Sequence, residues 1–285
     1  MKYLIFGATG ILGSELKSRL GSISEIDLII SSHSTINKVS FGDGRSIESL
    51  VSKTCPDVVI NCAALTNVDF CEKNPIEAFK INAKGVEEIS EAMGLYCPNS
   101  KLIHISTDHF YNDDFYSKES DAQPMNYYAY SKLLGEKLIK FKNSLVLRTN
   151  FFGKSNVDKL SFSDWIVNSI EKKDEITLFD DVYFNPLSLP TLCSIILEIS
   201  KSERYGTYNL GSLNGLSKYD FGIELAKYSG FNVKKIKKGK ISNSSLSAKR
   251  PKNMTMNVLK FSEKFNINLP KFEEEIKMVS KIYRG

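Results

Sequence analysis

A glycine-rich turn near the start of the chain constrains the fold more than any other feature. The segment GATGILG, residues 7–13, follows an apolar run at 3–6 and leads into SELK, which begins a helical pattern. In a strand–turn–helix unit, glycines permit a tight turn, and a pyrophosphate then binds free N–H groups at the positive end of the helix. Glycine spacing alone also fits a turn without a ligand. The strand before it and the helix after it therefore carry the prediction of a dinucleotide-binding fold.

Strands and helices alternate along the chain up to about residue 150. Further short apolar runs, separated by helical patterns, stand at 28–30, 58–60, 102–105 and 145–147. This alternation predicts an α/β protein with a Rossmann-type, doubly wound parallel sheet and right-handed crossovers. We expect a dinucleotide-binding domain over 1–150 and a smaller C-terminal domain over 151–285. Within 176–212, two short runs at 176–179 and 207–210 are expected to return strands to the main sheet.

Composition excludes several classes of protein. The 285 residues include 38 basic and 33 acidic side chains, and the net charge of +5 is too mild for a nucleic-acid binder by charge alone. The apolar runs are shorter than the roughly 18 residues of a membrane span, and the first is too short for a signal peptide. Five cysteines without a C-x-x-C pair and three histidines without ligand spacing predict reduced thiols and no metal site. We expect a cytoplasmic protein that binds no membrane.

The choice of cofactor is usually determined by the residues that follow the second strand. An acidic side chain there accepts hydrogen bonds from the ribose and repels a 2′-phosphate. This chain has Ser31 and His33 at that point and no carboxylate, which favours NADPH over NADH. His33, Lys38 or Arg45 would then lie near the phosphate, although the same charges fit a solvated loop, so use of both cofactors stays open. Asp43 either accepts from the adenine amino group or forms a turn.

Tyr128 and Lys132 lie four residues apart at the start of a helical pattern, and hence on one face of the helix. A phenol with its ordinary pKa near 10 is a poor acid catalyst at neutral pH, whereas an adjacent ammonium stabilises the phenolate and lowers that pKa. The pair therefore predicts a general acid. A Y-x-x-x-K string alone is more often structural, so its weight depends on the residues that precede it.

Small and hydroxylated side chains follow two of the predicted strands. Ser106 and Thr107 come directly after the strand at 102–105, and Ala63 and Ala64 come soon after the strand at 58–60. Ligands of open α/β sheets bind at the carboxyl ends of the strands. Hydroxyls there can share the charge that develops on a substrate carbonyl, or they can cap a turn. The alanines leave room for a cofactor against the backbone.

Two histidines lie near these strand ends. His109 has a side chain whose unperturbed pKa is near 6.5, so it is a candidate proton shuttle, and its alternative role is a wall of the pocket. His104 lies inside the predicted strand, where we expect a core residue or a hydrogen-bonded one.

Taken together and in order, these motifs resemble the extended short-chain dehydrogenase/reductase superfamily, and within it the dTDP-4-dehydrorhamnose reductase family. The resemblance covers nearly the whole chain. Beyond GATGILG and YAYSK, the segments that carry it are NCAA at 61–64, TNVD at 66–69, CE at 71–72, NP at 74–75, INA at 81–83, STD at 106–108, RT at 148–149, NP at 185–186, AKRP at 248–251, Asn257 and KF at 260–261.

The resemblance implies reduction of the 4-keto group of a nucleotide-linked 6-deoxyhexose with NADH or NADPH, and a mainly substrate-binding role for 151–285. It implies the catalytic residues Thr107, Tyr128 and Lys132. The turn, the second strand and the resemblance together give the candidate cofactor residues Gly7, Thr9, Gly10, Ile11, Leu12, Gly13, Ser31, His33, Asp43, Ala63, Ala64, Tyr128 and Lys132. The residues expected to face a nucleotide-diphosphate sugar are Val68, Thr107, Asp108, His109, Tyr128, Phe151 and Arg250.

The chain departs from the family pattern at the expected sugar-binding wall. His109 stands where the family usually has Tyr, and Phe151 stands where many members have Trp, so the sugar need not be dehydrorhamnose. The resemblance is also compatible with two other functions. One is a nucleotide-sugar epimerase or dehydratase that keeps its cofactor and recycles the hydride. The other is a non-catalytic regulatory subunit like that of methionine adenosyltransferase. A homodimer is one assembly compatible with the sequence.

Overall fold

A six-stranded sheet organises the first half of the chain. The computed structural model describes residues 1–32, 35, 37–112 and 115–284. The strands of the described chain, in all of its sheets, are β1 (Lys2–Phe6), β2 (Asp27–Ser31), β3 (Val58–Asn61), β4 (Lys101–Ile105), β5 (Ser144–Thr149), β6 (Phe151–Phe152), β7 (Ile176–Phe179), β8 (Tyr183–Phe184), β9 (Leu187–Ser188), β10 (Gly206–Leu210), β11 (Leu216–Ser217) and β12 (Ile236–Gly239). The sheet has the order β10-β5-β4-β3-β1-β2, and β1 to β5 run parallel to one another, which confirms the predicted fold class.

Helices connect these strands, as parallel pairing requires. They are α1 (Ile11–Gly21), α2 (Arg45–Thr54), α3 (Val68–Lys73), α4 (Pro75–Phe79), α5 (Gly85–Tyr96), α6 (Tyr127–Leu138), α7 (Phe162–Glu171), α8 (Leu189–Ser200), α9 (Lys218–Tyr228), α10 (Leu259–Phe265) and α11 (Phe272–Tyr283). A π-helical turn, Lys80–Lys84, joins α4 to α5. Helix α6 approaches this turn so closely that a Cβ on Gly135 would lie 2.1 Å from the carbonyl oxygen of Asn82.

The chain divides into two compact units. Unit 1 comprises Met1–Thr107, Pro124–Arg148 and Ile196–Tyr208, and unit 2 comprises Asp108–Gln123, Thr149–Ile195 and Asn209–Gly285. The core of unit 1 lies around β1, β3 and β4 and includes Leu4, Phe6, Val59, Ile89 and Leu102. The core of unit 2 is aromatic and includes Phe152, Phe184, Phe221 and Phe272. The substrate-binding role expected for the second half of the chain stays a prediction.

The structure corrects one expectation about strand pairing. Residues 206–210 do join the six-stranded sheet, but β7 pairs in parallel with β12 in a separate two-stranded sheet. Ile176 and Leu178 of β7 are buried in the core of unit 2. The strand therefore buries its apolar side chains there and does not need to join the main sheet. Strand β12 lies within the lysine run around 234–240. It was not predicted, because an edge strand with charged side chains lacks the apolar run by which the other strands were identified.

The described part of the chain has no helix long and apolar enough to cross a membrane. All five cysteines are free thiols, and Cys71, Cys97 and Cys193 among them are buried.

Candidate active site

The glycine-rich turn has a geometry that only glycines allow. Gly7 has a φ of +78°, and a Cβ there would lie 2.6 Å from the backbone nitrogen of Ala63. A Cβ on Gly13 would lie 2.2 Å from the carbonyl oxygen of Gly7, because α1 packs directly on the turn. The N–H groups of Gly7 and Ala8 donate to the carbonyl oxygen of Ser31 at 2.9 and 3.3 Å, which ties the turn to the end of β2.

A cleft of about 860 Å³ empty volume opens beside this turn. It is lined by Gly7, Thr9, Gly10, Ser31, Ser32, Val39, Phe41, Cys62, Ala63, Ala64, Leu65 and Ile81. Gly10 is the N-cap of α1 and, because it has no side chain, provides no side-chain cap for that helix end. Backbone N–H groups at an uncapped helix end bind phosphate, and the small side chains leave room for the rest of a dinucleotide. These residues therefore fit NAD(P)H.

The predicted cofactor residues around the second strand have different surroundings. Ser31 lines the cleft, but its hydroxyl donates to the carbonyl oxygen of Asn37 at 2.6 Å. Asp43 lies in the loop before α2 and accepts a hydrogen bond from Ser46 Oγ at 3.3 Å. Lys38 and Arg45 are exposed. His33 lies outside the described residues, so its predicted role is untested.

Helix α6 positions the predicted general acid and its lysine. Asn126 is the N-cap of α6 and accepts a hydrogen bond from the N–H of Ala129 at 2.9 Å, which fixes the start of the helix. Tyr128 is 7% exposed and Lys132 only 1% exposed, one helical turn further on. Burial of an ammonium costs much free energy unless the charge is paired or hydrogen-bonded, so we expect Lys132 to have a partner.

Lys132 has a defined set of neighbours in unit 1. Its Nζ donates to the carbonyl oxygen of Ile105 at 2.8 Å, at the end of β4, and lies 3.5 Å from His104 Nε2. Burial lowers the pKa of Lys132 to about 8, although the interactions with Glu136 and Cys62 act in the opposite direction. A lysine with a pKa near the operating pH can both hold and release a proton.

Behind Lys132 lies a buried charged group on the same helix. Glu136 accepts hydrogen bonds from Arg148 and from the hydroxyl of Ser106, the latter at 2.5 Å. The Ser106 hydroxyl is thus engaged by the carboxylate. Thr107, the next residue, is 3% exposed at the end of β4, which is where a hydroxyl catalyst was predicted.

The sequence analysis missed the role of Asn82. Its Oδ1 accepts from the N–H of Leu65 at 2.8 Å, and its Nδ2 donates to the carbonyl oxygen of Leu65 and to Ser131 Oγ, both at 3.0 Å. Ser131 Oγ in turn donates to the carbonyl oxygen of Tyr128 at 2.8 Å. Asn82 therefore ties the loop after β3 to the first turns of α6. The only signal in the sequence was its place in the INA segment.

His104 is fully buried and hydrogen-bonded, which confirms the prediction of a core residue. Burial and the Lys132 charge hold the pKa of His104 well below its ordinary value, so the imidazole is neutral. Its Nδ1 lies 3.2 Å from the Nδ2 of Asn61, and Asn61 Oδ1 accepts from the N–H of Ala63 at 3.1 Å. This chain of contacts runs from the cofactor cleft to Lys132.

In unit 2, the predicted sugar-facing residues Asp108, His109 and Arg250 share an electrostatic environment with Lys218, which the sequence analysis missed. Asp108 accepts a hydrogen bond from Asn150 Nδ2 at 2.7 Å. Burial, together with the charges of Lys218 and Arg250, lowers the pKa of His109 to about 3. His109 is therefore neutral at physiological pH, which argues against a proton shuttle and for a wall of the pocket.

Three further residues were predicted to face the sugar: Phe151, Val68 and Arg250. Phe151 is half-buried in β6, which pairs with β9 in unit 2. Val68 begins α3 in unit 1 and is 9% exposed. Arg250 donates from Nη1 to the carbonyl oxygen of Ala248 at 3.1 Å.

Unit 2 also contains an aromatic and basic cleft of about 1190 Å³ empty volume. Phe162 and Trp165 stack in its wall with their ring centroids 6.0 Å apart, and Lys218 Nζ lies 5.2 Å from the Phe162 ring centroid. Lys238 and Lys240 complete the basic lining. Stacked rings beside ammonium groups suit a ligand that has a planar base and phosphates.

A family model described as the RmlD substrate binding domain matches residues 1–284. The dTDP-4-dehydrorhamnose reductase of Escherichia coli (strain K12) is 29% identical over 294 residues, which cover 97% of this chain and 96% of that protein. A crystal structure of a dTDP-4-dehydrorhamnose reductase from Clostridium acetobutylicum ATCC 824 is similar at a TM-score of 0.89 and 26% identity, over 100% of both chains. One from Bacillus anthracis str. Ames in complex with NADP has a TM-score of 0.88 and 25% identity, over 98% of both chains.

Proposed function

Because the chain belongs to the RmlD substrate binding domain family, we propose that it is an NAD(P)H-dependent reductase of a nucleotide-linked 4-keto-6-deoxysugar. The substrate class is supported by a relative named dTDP-4-dehydrorhamnose reductase that matches almost the whole chain. The cofactor class is supported by a similar structure solved with NADP. A cytoplasmic location and a homodimer stay predictions.

One observation carries the proposal: unit 1 contains both a cleft that fits a dinucleotide and a buried lysine one helical turn from Tyr128. Lys132 Nζ is held at the carboxyl end of β4 by the carbonyl oxygen of Ile105 at 2.8 Å. Reductive chemistry needs a hydride source, a proton source and a cation to stabilise the phenolate that the proton source leaves. We take these from unit 1: a cofactor in the cleft as the hydride source, Tyr128 as the proton source and Lys132 as the cation.

The residues of unit 1 divide the chemistry among them. Bound NAD(P)H supplies the hydride for the keto carbon. Tyr128 donates a proton to the keto oxygen, and the Lys132 ammonium stabilises the phenolate that remains. Thr107 donates a hydrogen bond to the same oxygen and so stabilises its developing charge. The N–H groups at the start of α1 hold the pyrophosphate, and Lys132 also binds the ribose.

For the sugar nucleotide, the family resemblance indicates Val68, Thr107 and Tyr128 within unit 1, and Asp108, His109, Phe151 and Arg250 within unit 2. Neutral His109 then acts as a hydrogen-bonding wall for the sugar. Arg250 supplies a charge for the diphosphate, and Lys218 beside it is a second cation in the same environment. The identity of the sugar depends on the shape of this wall, where the chain has His109 and Phe151.

The test of the proposed function is consumption of reduced cofactor. The purified protein is mixed with NADPH or NADH and a panel of nucleotide-linked 4-keto-6-deoxysugars made in situ by a dehydratase, and nicotinamide absorbance is followed. Oxidation that depends on one of these sugars is the expected result. Absence of oxidation with every sugar, while a separate titration shows bound NADPH, would contradict a reductase and favour a hydride-recycling enzyme or a regulatory subunit.

A further inference from the structure

Asn61 and His104 are direct neighbours on adjacent strands. In the parallel register of β3 and β4, Asn61 pairs with His104. Their side chains and that of Lys132 are almost completely inaccessible, with 1%, 0% and 1% exposure. Buried polar groups must satisfy their hydrogen bonds within the protein, so the donor and acceptor roles of this group are restricted.

The backbone fixes the orientation of the Asn61 amide. The N–H of Ala63 can only donate, so the Asn61 atom 3.1 Å from it is the acceptor Oδ1. The other amide atom, Nδ2, is then a donor, and it lies 3.2 Å from His104 Nδ1. Because a donor faces Nδ1, that ring nitrogen must accept.

The tautomer of His104 follows from this step. A neutral imidazole that accepts at Nδ1 bears its proton on Nε2. His104 Nε2 faces Lys132 Nζ at 3.5 Å, and Nζ has a second partner in the carbonyl oxygen of Ile105. An ammonium has only donors and offers nothing to an N–H group, whereas a neutral amine has one lone pair and can accept from it.

We propose that His104 is a positioning residue that keeps its proton on Nε2, donates a hydrogen bond from this N–H group to the neutral amine of Lys132, and thereby favours release of a proton by the catalytic lysine. The backbone N–H of Ala63, at the edge of the cofactor cleft, imposes this tautomer through Asn61. The strand register of β3 and β4 thus sets the protonation behaviour of a residue on α6.

Several charged or titratable groups besides His104 also influence the protonation of Lys132. Glu136, one turn further along α6, favours the ammonium, and it also forms a direct ion pair with Arg148. Cys62, after β3, also favours the ammonium, and Tyr128 lies one turn earlier on α6. On β4, His104 is neutral and adds no charge. Its oriented N–H therefore acts on Lys132 as a fixed dipole, together with burial.

The role of this contact in the reaction rests on the proposed function. When Tyr128 has given its proton to the keto oxygen, the ammonium of Lys132 returns a proton to the phenolate and becomes an amine. The amine is the form that accepts from His104 Nε2, so the contact stabilises the state that follows proton transfer. Lys132 regains its proton from solvent when the product leaves. No proton leaves His104 in this cycle.

The tautomer can be measured without any turnover. The chain has only three histidines, so a ¹⁵N spectrum of histidine-labelled protein gives few ring signals. The His104 signals are assigned by their loss in a His104→Gln variant. We expect a neutral ring with the proton on Nε2 between about pH 6 and pH 9, both before and after addition of NADP⁺. A proton on Nδ1, or an imidazolium, would overturn the inference even if the protein reduces a keto sugar.

Two substitutions separate tuning of Lys132 from a merely structural role. A Gln amide can place an N–H near the position of Nε2, whereas an Asn amide reaches only the position of Nδ1. Because turnover needs the Lys132 ammonium, rates fall above the pKa of Lys132. For His104→Asn we expect this basic limb of the pH profile to move up by about one unit, a tenfold change in the proton equilibrium. For His104→Gln it should stay near that of the wild type. Equal loss of rate in both, without a shift of the limb, would contradict the inference.

Discussion

Arg148 and Glu136 form an ion pair inside unit 1, with Nη2 of the arginine 2.7 Å from Oε2 of the glutamate and both side chains 5% exposed. Loss of one partner leaves the other charge buried without compensation, which typically costs about 3–5 kcal/mol. We therefore expect Glu136→Gln to lower the free energy of unfolding by roughly 3 kcal/mol, measured as the shift of the urea unfolding transition.

A pair with a half-exposed lysine, between the π-helical turn and α5, provides the control. Glu87 pairs with Lys84 at 2.7 Å, but the Lys84 side chain is 52% exposed. Glu87→Gln should cost less than about 1 kcal/mol, as is usual for surface pairs. Equal losses in the Glu136 and Glu87 variants would show that the buried pair contributes nothing beyond a surface contact.

Tyr128→Phe removes the predicted proton donor and keeps the ring. Turnover of the keto sugar should fall about 10²- to 10⁴-fold, because general acid catalysis is typically worth that much. Binding of NADPH, followed by fluorescence titration, should change little. The matched control is Tyr130→Phe on the same helix, where the side chain is 49% exposed and turnover should be retained. Retained turnover in the Tyr128 variant would contradict its assignment as the acid.

Gly13→Ala tests the phosphate-binding turn. The added methyl would lie 2.2 Å from the carbonyl oxygen of Gly7, so α1 must move away from the turn. We expect NADPH binding to weaken roughly tenfold or more, which corresponds to about 1.4 kcal/mol. Gly21→Ala, at the other end of α1, is the control, since its methyl would meet Leu28 Cδ2 at an ordinary 3.8 Å. Unchanged affinity in the Gly13 variant would show that the cofactor binds elsewhere.

His109 makes stability depend on pH in a defined direction. Its pKa is about 3 in the folded chain, well below the ordinary value of 6.5, because burial and two nearby cations disfavour the imidazolium. Below pH 6.5, His109 therefore binds a proton in the unfolded chain but stays neutral in the folded chain. The free energy of unfolding consequently decreases as the pH falls below 6.5. Between pH 6.5 and pH 5, His109 should account for about 2 kcal/mol of this loss.

The measurement is urea unfolding at both pH values in the wild type and in His109→Asn. The buried imidazole of His104 acts in the same direction but is present in both proteins, so the difference isolates His109. A variant with the same pH-dependent loss as the wild type would show that His109 is protonated without cost.

Local patterns made the nucleotide-binding half of the fold predictable. The glycine-rich turn, β1 and α1 are contiguous, and steric limits at Gly7 and Gly13 are visible in the sequence as glycines. The Tyr128 and Lys132 spacing likewise follows from helix geometry alone. Neither required knowledge of which distant segments pair.

Relationships across long sequence separations were not predictable. The contact of Asn61 with His104 depends on strand register, which a single sequence does not specify when both strands are buried and apolar. Strand β7 pairs with β12 about 60 residues further on, inside a lysine run that hides the strand. Lys218 joins Arg250 and His109 only through the folding of unit 2. Such residues have no local signal.

Net transfer of a hydride to the sugar distinguishes a reductase from an enzyme that recycles its hydride. The most direct measurement uses NADPH that has deuterium at the transferred position, with a nucleotide-linked 4-keto-6-deoxysugar, and follows oxidised cofactor and product mass together. We predict one cofactor oxidised for each sugar reduced, with deuterium at the former keto carbon. A sugar product that forms without net oxidation of the cofactor would contradict a reductase and would indicate an enzyme that recycles its hydride.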